Sequence, residues 1–543
     1  MDTLNFNLKR QRLYEALLIL GFFLLCGFDL WHHVPWRDEM WPWLFARDSN
    51  SIPDLLHNLR YEPHSRLWYL VLYGVAHISH HVAAMQITNL LIIGSAITLF
   101  VRFCPLPFYI KALVTFGYLF VYEWGTLSRN YALGALMCFA FCSLFPRRKK
   151  GYLGLAAFLL VTAQANQFAS LIAAALGGLL ILEVYMYPEV RTRVMAHKTD
   201  ATLSLVLIYG GVLMGFASGI TPPDEHQIVF YSLSLDPNKF LHAFGAFWDG
   251  FLPFPEPTLL HAWSFGGIGH SAFGPLINHA IRGMILFPAT VVFFRRSRMM
   301  LLTYLVGDCL LLTLAFVQTE SYARHAGHFF LWFIICLWLA HYLPASNRSR
   351  RNEPMEEEKS RDGTPNLKAA GADAGHFALS RPQILIVIAL FIIPIFDTVF
   401  SSIAGYCYPF SCAKEVATYL KESHLDKLPM VGYPDFAVMT ISGYTGAPIY
   451  YADQPPRWGT FILENNKRRT DLTSEQLMQF VDGFAAKGNK DFIVVLNRPF
   501  ADKKDGHFQL IRQVGNMSYL TSFFPCMVGD ESYWIYRYKV SAS

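Results

Sequence analysis

The chain has 543 residues, of which 53% are hydrophobic, 15% aromatic and only 16% charged. An ordinary globular domain carries about a quarter charged residues, and the mean hydropathy here is +0.29, which excludes a simple cytosolic protein and a disordered chain. Nine Cys are too sparse for a disulfide scaffold, and a net charge of +5 is too small to point to nucleic acid.

Apolar runs of about 18 residues read as membrane-spanning helices. In chain order they fall at 13–30, 83–103, 107–122, 131–145, 152–165, 168–185, 201–220, 276–294, 299–318, 329–343 and 383–401. This predicts a polytopic α-helical membrane protein of about eleven spans. The first run is followed by bulky Trp31, Trp36 and Trp41 rather than by a small-residue cleavage site, so it reads as an anchor and not a secretory signal. Lys9, Arg10 and Arg12 place the N-terminus in the cytoplasm. With that start, Arg102 and Lys111, Arg147–Lys150, Arg191 to Lys198, Arg295 to Arg298 and Arg348 to Arg351 all return to the same side. The apolar segment 67–78 is too short to cross a ~30 Å core and reads as a helix in the outer interface.

Residues 1–401 thus form a transmembrane module, with outer loops at 31–82 and 221–275 and a polar cytoplasmic linker at 344–381 whose composition reads as disordered. Residues 402–543 read as a separate extracytoplasmic α/β domain. Its predicted helices are 414–422 and 474–486, the latter capped by Thr473 or Ser474. Its predicted strands are 429–433, 448–451, 491–496 and 532–538. Cys407, Cys412 and Cys526 allow one disulfide in this domain, with the pairing open. With this topology the chain reads as an integral, multi-pass membrane protein.

The first outer loop carries the most chemistry. It opens Trp36-Arg37-Asp38-Glu39, directly after the first span, and closes Tyr61-Glu62-Pro63-His64-Ser65-Arg66-Leu67-Trp68-Tyr69. A carboxylate under aromatic residues at a membrane boundary has its pKa raised unless a cation is near, and it is placed to act as a general base. The plainer reading is that Asp38 and Glu39 cap the first outer helix.

An Asp-Glu pair just past the first span, then an acidic residue with His and an apolar-aromatic run, resembles the GT-C membrane glycosyltransferases. More closely, it is similar to the group of protein O-mannosyltransferases, lipid A aminoarabinose transferases and rhizobial core-sugar transferases. That group's second element reads acidic-x-His-Pro-Pro-Leu-aromatic; here Ser65 and Arg66 replace the two prolines, and Arg66 adds a cation. Ser128-Arg129-Asn130-Tyr131 matches an Arg-x-Tyr at the outer end of the third span, and Glu320-Ser321-Tyr322-Ala323-Arg324-His325 opens the tenth.

The resemblance implies that Asp38 is the base that deprotonates the acceptor, Glu39 supports it, and Glu62 holds the acceptor or a cation. It implies that His64, Arg129, Tyr131, Arg324 and His325, with the extra Arg66, serve the phosphate of a polyprenyl-phosphate sugar donor. The acceptor would be an envelope glycolipid, polysaccharide or protein, and the transfer would invert the anomeric carbon. A guanidinium offers a bidentate fork to a phosphate leaving group. The absence of a Gly-rich phosphate loop fits a lipid donor. A divalent-cation requirement is left open. Arg129 and Arg324 also read as cations snorkelling to the interface.

His242, His261, His270 and His279 lack the tight spacing of a structural zinc site. The aromatic residues Phe244, Phe247, Trp248, Phe251, Phe254, Trp263 and Phe265 read as an interfacial lid or anchor, and Asp224 and Glu225 as supporting or surface charges. Asp308 and Asp397, within spans, read as structural, and Glu183 as interfacial. A lipid or polysaccharide transporter or flippase is the competing class. It predicts inverted repeats and several mid-membrane charges, whereas no repeat is detected and the polar residues cluster at one face.

Overall fold

A computed structural model describes residues 2–220, 232–253, 275–318, 323–343, 379–454, 457–464, 467–469, 471–500, 508–515 and 526–539. The first helix, α1 (Asp2–His32), contains the apolar stretch Lys9–His32. At 1.5 Å per residue its 24 residues reach about 36 Å, enough for a bilayer core. The loop that follows, 31–82, folds into α2 (Arg37–Asp48), α3 (Ile52–Asn58) and α4 (Leu67–Ala76). Ser51 caps α3 by accepting a hydrogen bond from the Asp54 amide at 3.2 Å. The 10 residues of α4 span only about 15 Å.

The bundle continues with α5 (Ala83–Phe103), α6 (Phe108–Thr115), a π-helical segment Leu119–Thr126, α7 (Tyr131–Leu144), α8 (Leu153–Thr162) and α9 (Gln167–Met186). It is completed by α10 (Pro188–Ala196), α11 (Lys198–Ala217), α12 (Pro237–Phe251), α13 (Pro275–Val291), α14 (Arg298–Val317), α15 (Ala323–Ala340) and α16 (Arg381–Cys407). Among the described residues seven helices are long and apolar enough to cross a membrane, against the eleven expected. The runs at 107–122, 131–145, 152–165 and 276–294 are the difference. The first is broken at Gly117 into two short helices, and the other three fold as helices of 14, 10 and 17 residues. The centre of the bundle is α15, buried continuously from Ala326 to Ala340. Trp332 lies so close to α14 that a Cβ on Gly307 would stand 2.2 Å from its ring, and the indole donates to Tyr304 O at 3.1 Å.

Glu183, near the end of α9, is buried, with Arg148 Nε 2.8 Å and the Tyr152 hydroxyl 2.7 Å away. A buried carboxylate needs such partners. The outer loop 221–275 contains a regular helix, α12, whose Phe247 and Phe251 pack on Phe329, Phe330 and Phe333 of α15. Phe254, Trp263 and Phe265 lie outside the described residues, as does most of the 344–381 linker.

The tail is an α/β/α sandwich. It comprises α17 (Ala413–Glu422), β1 (Met430–Tyr433), α18 (Asp435–Thr445), β2 (Ile449–Tyr451), β3 (Trp458–Gly459), α19 (Ser474–Ala486), β4 (Asp491–Leu496), β5 (Phe508–Val514) and β6 (Tyr533–Lys539). The sheet order is β3-β2-β1-β4-β6-β5, with β1 parallel to β2 and β4 and the other pairs antiparallel. Strand alternation sends Met430, Ile493, Val495 and Ile535 toward α17 and α18. It sends Val431, Val494, Leu496 and Trp534 toward α19. Thr473 caps α19, its hydroxyl accepting from the Gln476 amide. Sequence reading misses α18, β3 and β5. The disulfide that Cys407, Cys412 and Cys526 allow is not formed here; Cys412 and Cys526 are hydrogen-bonded to each other.

Candidate active site

The site is built on α2, which starts four residues after α1 ends, so its first turn stands at the mouth of the bundle. Asp38, Trp41 and Pro42, spaced i, i+3, i+4, share one helix face and line a cavity of about 240 Å³. Asp38 Oδ2 lies 2.9 Å from Arg129 Nη1 and 3.1 Å from Arg324 Nη2. Arg129 Nη1 also donates to the Asp38 carbonyl at 2.7 Å. Burial favours the neutral carboxyl, but the two guanidiniums, with Arg37 and His64 behind them, hold Asp38 below the usual carboxylate range. Arg129 in turn is held more firmly protonated: burial opposes its charge, and Asp38 outweighs that burial.

Glu62 and His64 enter the cavity from the far end of the same loop. His64 Nδ1 pairs with Glu62 Oε1. Against its burial, His64 keeps Glu62 ionised below its ordinary range. The loop is clamped at Pro63, whose carbonyl accepts from Gln167 Nε2 of α9 at 3.1 Å. The same carbonyl would stand 2.5 Å from a Cβ on Gly219, just past α11, so only glycine permits that approach. Tyr131 and His325 complete the wall, with the Tyr131 hydroxyl 2.9 Å from His325 Nε2. Phe168 stacks on His325 at 5.2 Å.

Two of the sequence candidates do not line this cavity. Glu39, one residue past Asp38, is turned about 100° away. It is fully buried and serves as a brace. Its Oε2 lies 2.6 Å from His33 Nε2 and accepts from the Trp36 amide, and its Oε1 accepts from the Ser128 amide at 2.7 Å. Glu39 therefore both caps α2 and fixes the residue next to Arg129. Arg66 sits at the start of α4 outside the lining, and burial lowers its pKa.

Sequence reasoning missed several lining residues: Trp41, Trp68, Asn130, Asn166, Gln167 and Gln318. Trp41 Nε1, Trp68 Nε1, Asn130 Oδ1 and Gln318 Oε1 are buried without a hydrogen-bond partner among the described residues. Their signal was position, since each lies within a few residues of the outer end of an apolar run or in the first loop.

The tail domain holds α2 from above. Glu531 is fully buried, and its Oε1 accepts from the Arg37 amide at 2.8 Å, capping the helix that carries Asp38. Ser411 also donates to this carboxylate, and Arg37 Nη1 donates to Asp530 at 2.8 Å. Burial pushes Glu531 up to about 7, partly offset by the Arg37 charge. Phe461 packs on Phe45 of α2 at 4.6 Å. Glu464 nearby is pushed up to about 8, by burial first and then by the negative charge of Glu62.

Among the described residues no group of three or more His, Cys, Asp or Glu is placed to hold a metal ion. His279 pairs with Asp249 at 3.1 Å. His261, His270, Asp224, Glu225, Glu320, Ser321 and Tyr322 lie outside the described residues.

The arrangement offers two ionised carboxylates facing a cavity, Asp38 and Glu62, and two guanidiniums beside Asp38. No family model matches the sequence, and no curated protein matches it. Among solved structures the chain is similar to ArnT from Cupriavidus metallidurans bound to undecaprenyl phosphate, at 12% identity and a TM-score of 0.49 over 97% of this chain and 98% of that one.

Proposed function

We propose that this protein is a membrane glycosyltransferase of the GT-C type. It moves a sugar from a polyprenyl-phosphate donor to an envelope acceptor at the outer membrane face. One observation carries the reading: Asp38 is bound by two guanidiniums from separate elements, Arg129 before α7 and Arg324 at the start of α15, in a pocket at the ends of apolar helices.

The donor phosphate takes the forks of Arg129 and Arg324, which are buried enough for charge-assisted hydrogen bonds to be strong. As the arginines turn to the phosphate, Asp38 loses the cations that depress its basicity and becomes a better proton acceptor. The acceptor hydroxyl attacks the anomeric carbon while its proton passes to Asp38. The bond from that carbon to the phosphate oxygen breaks, and the electron pair leaves on the phosphate, where the two guanidiniums meet the growing charge. A single displacement of this kind inverts the anomeric centre. Glu62 and His64 orient the acceptor and donor phosphate, and Tyr131 holds His325 at the wall. Glu39 acts through Ser128 as a positioning residue, and Arg66, off the cavity, is assigned no step.

The orientation that fits this chemistry has the N-terminus in the cytoplasm and the tail outside, in a bacterial inner membrane. The test is sugar transfer in membranes carrying the wild-type chain or Asp38→Asn, with mass spectrometry of envelope glycolipids and glycoproteins as the readout. Loss of one glycosylated species in Asp38→Asn, at equal protein level, is expected. An unchanged envelope profile would refute the proposal.

A further inference from the structure

A second cavity, of about 760 Å³, lies on the other side of α2 from the Asp38 pocket. The helix separates the two: Asp38, Trp41 and Pro42 face one cavity, Arg47 and Asp48 the other. The wall of the second cavity changes character along its height. Gly27 and Leu30 of α1 and Ile87 and Leu90 of α5 make an apolar floor. These residues belong to two helices long and apolar enough to span a membrane. The rim is polar and carries His80, His81, Lys414 and the Arg47–Asp48 pair.

The rim is left with one uncompensated cation, Lys414, beside two exposed imidazoles. Arg47 is spent on Asp48, at 2.7 and 2.8 Å, and on the Gly443 carbonyl at 3.1 Å. Lys414 and both histidines are exposed, and none of them makes an ion pair among the described residues. Asp48, the acidic residue of the lining, is already matched. A soluble polar ligand would leave the apolar floor wet, and a bare hydrocarbon would leave the cationic rim unmatched. The occupant that satisfies both is an amphiphile with an anionic head.

We propose that this cavity binds a phospholipid of the surrounding bilayer, its phosphate at Lys414, His80 and His81 and one acyl chain on the α1–α5 floor. His33 lines the cavity and is the residue that holds Glu39, so the bound lipid abuts the brace behind Ser128 and Arg129. The site is independent of sugar transfer and stands or falls without it.

The test uses the purified full chain in nanodiscs of phosphatidylcholine, doped with phosphatidylglycerol that carries a quenching nitroxide high on one chain. Trp31, on the cavity wall, is 84% exposed and supplies the reporter, as the emission lost in Trp31→Phe. Labelled phosphatidylglycerol should quench this emission at a mole fraction on the order of tenfold below that needed for labelled phosphatidylcholine. Lys414→Glu, an exposed change on the tail, should abolish that preference, and native mass spectrometry should show it carrying fewer retained phosphatidylglycerol molecules than the wild type. Equal quenching by the two lipids, or a preference that survives Lys414→Glu, would overturn the proposal. Relief of quenching by inorganic phosphate at constant lipid would make this a phosphate site and overturn it equally.

Discussion

Replacing Arg129 by Ala removes one of the two guanidiniums on Asp38 while leaving the other at 3.1 Å. Losing one positioned donor to a developing oxyanion costs about 3 kcal/mol of transition-state stabilisation, or on the order of a hundredfold in rate. Breaking a buried pair by removing one partner costs about 3–5 kcal/mol of stability. Arg324 remains to compensate Asp38, so the loss here should fall at or below the lower end of that range. The diagnostic readout is the pH profile of kcat/KM. Arg129 is the strongest cation holding Asp38 below its ordinary range, so its removal raises the Asp38 pKa. The acid limb of the profile therefore moves to higher pH. Arg129→Lys keeps a charge without the fork and should recover part of the rate, with the acid limb between the other two. Turnover of a synthetic polyprenyl-phosphate sugar across pH 4–9 is the assay. Full turnover in Arg129→Ala, or a reduced rate with the acid limb unmoved, would refute the assignment of this arginine to both base and phosphate.

Glu39→Ala leaves the buried Ser128 amide without its acceptor, at about 1–3 kcal/mol. It should lower kcat/KM about tenfold or more by displacing Arg129, with the substrate KM and thermal midpoint measured alongside. Glu464 sits at about 8 against its ordinary 4.5. Its folded pKa is raised, so the fold is penalised as pH climbs from 4.5 through 8, and Glu464→Gln should raise the melting temperature at pH 9 but not at pH 4. Equal shifts at both pH values would remove burial of the charge as the cause. In a cysteine-free background, a single Cys near residue 80 should label from outside and one near 105 should not. Labelling of both from one side would reverse the interfacial assignment of α4.

Long apolar runs were legible because a helix that faces lipid must be apolar over its whole length. The run at 83–103 and α5 coincide to the residue. The shorter helices α7 and α8 were legible as apolar runs at 131–145 and 152–165, but their length was not, because an apolar run does not mark where a helix starts and stops within it. Helix α12 carried a readable signal in Phe240, Phe244, Phe247 and Phe251, spaced three or four apart, which a search for continuous apolar length passes over. In the tail, Gly446 in the left-handed region (φ 75°) ends α18 and was the available stop signal.

At the site, the motif residues Asp38, Glu62, His64, Arg129, Tyr131, Arg324 and His325 line one cavity. That much follows from their shared position at one end of the apolar runs. Which of Asp38 and Glu39 enters it depends on the helical phase of α2, which nothing in the two-residue motif specifies. The contribution of Glu531 was invisible, since no local pattern connects a residue near the end of the chain to the first turn of α2.

That last contact bears on how the protein is made. The amide of Arg37 and the carboxylate that caps it are separated by 494 positions along the chain. Asp38 is translated long before Glu531, the group that steadies its helix. A chain cut between residues 407 and 531 would retain every span described above and every motif arginine and still lack the Glu531 cap on the helix that carries Asp38. Docking of the tail thus conditions the geometry around Asp38, and copies cut in that interval would occupy the membrane without it.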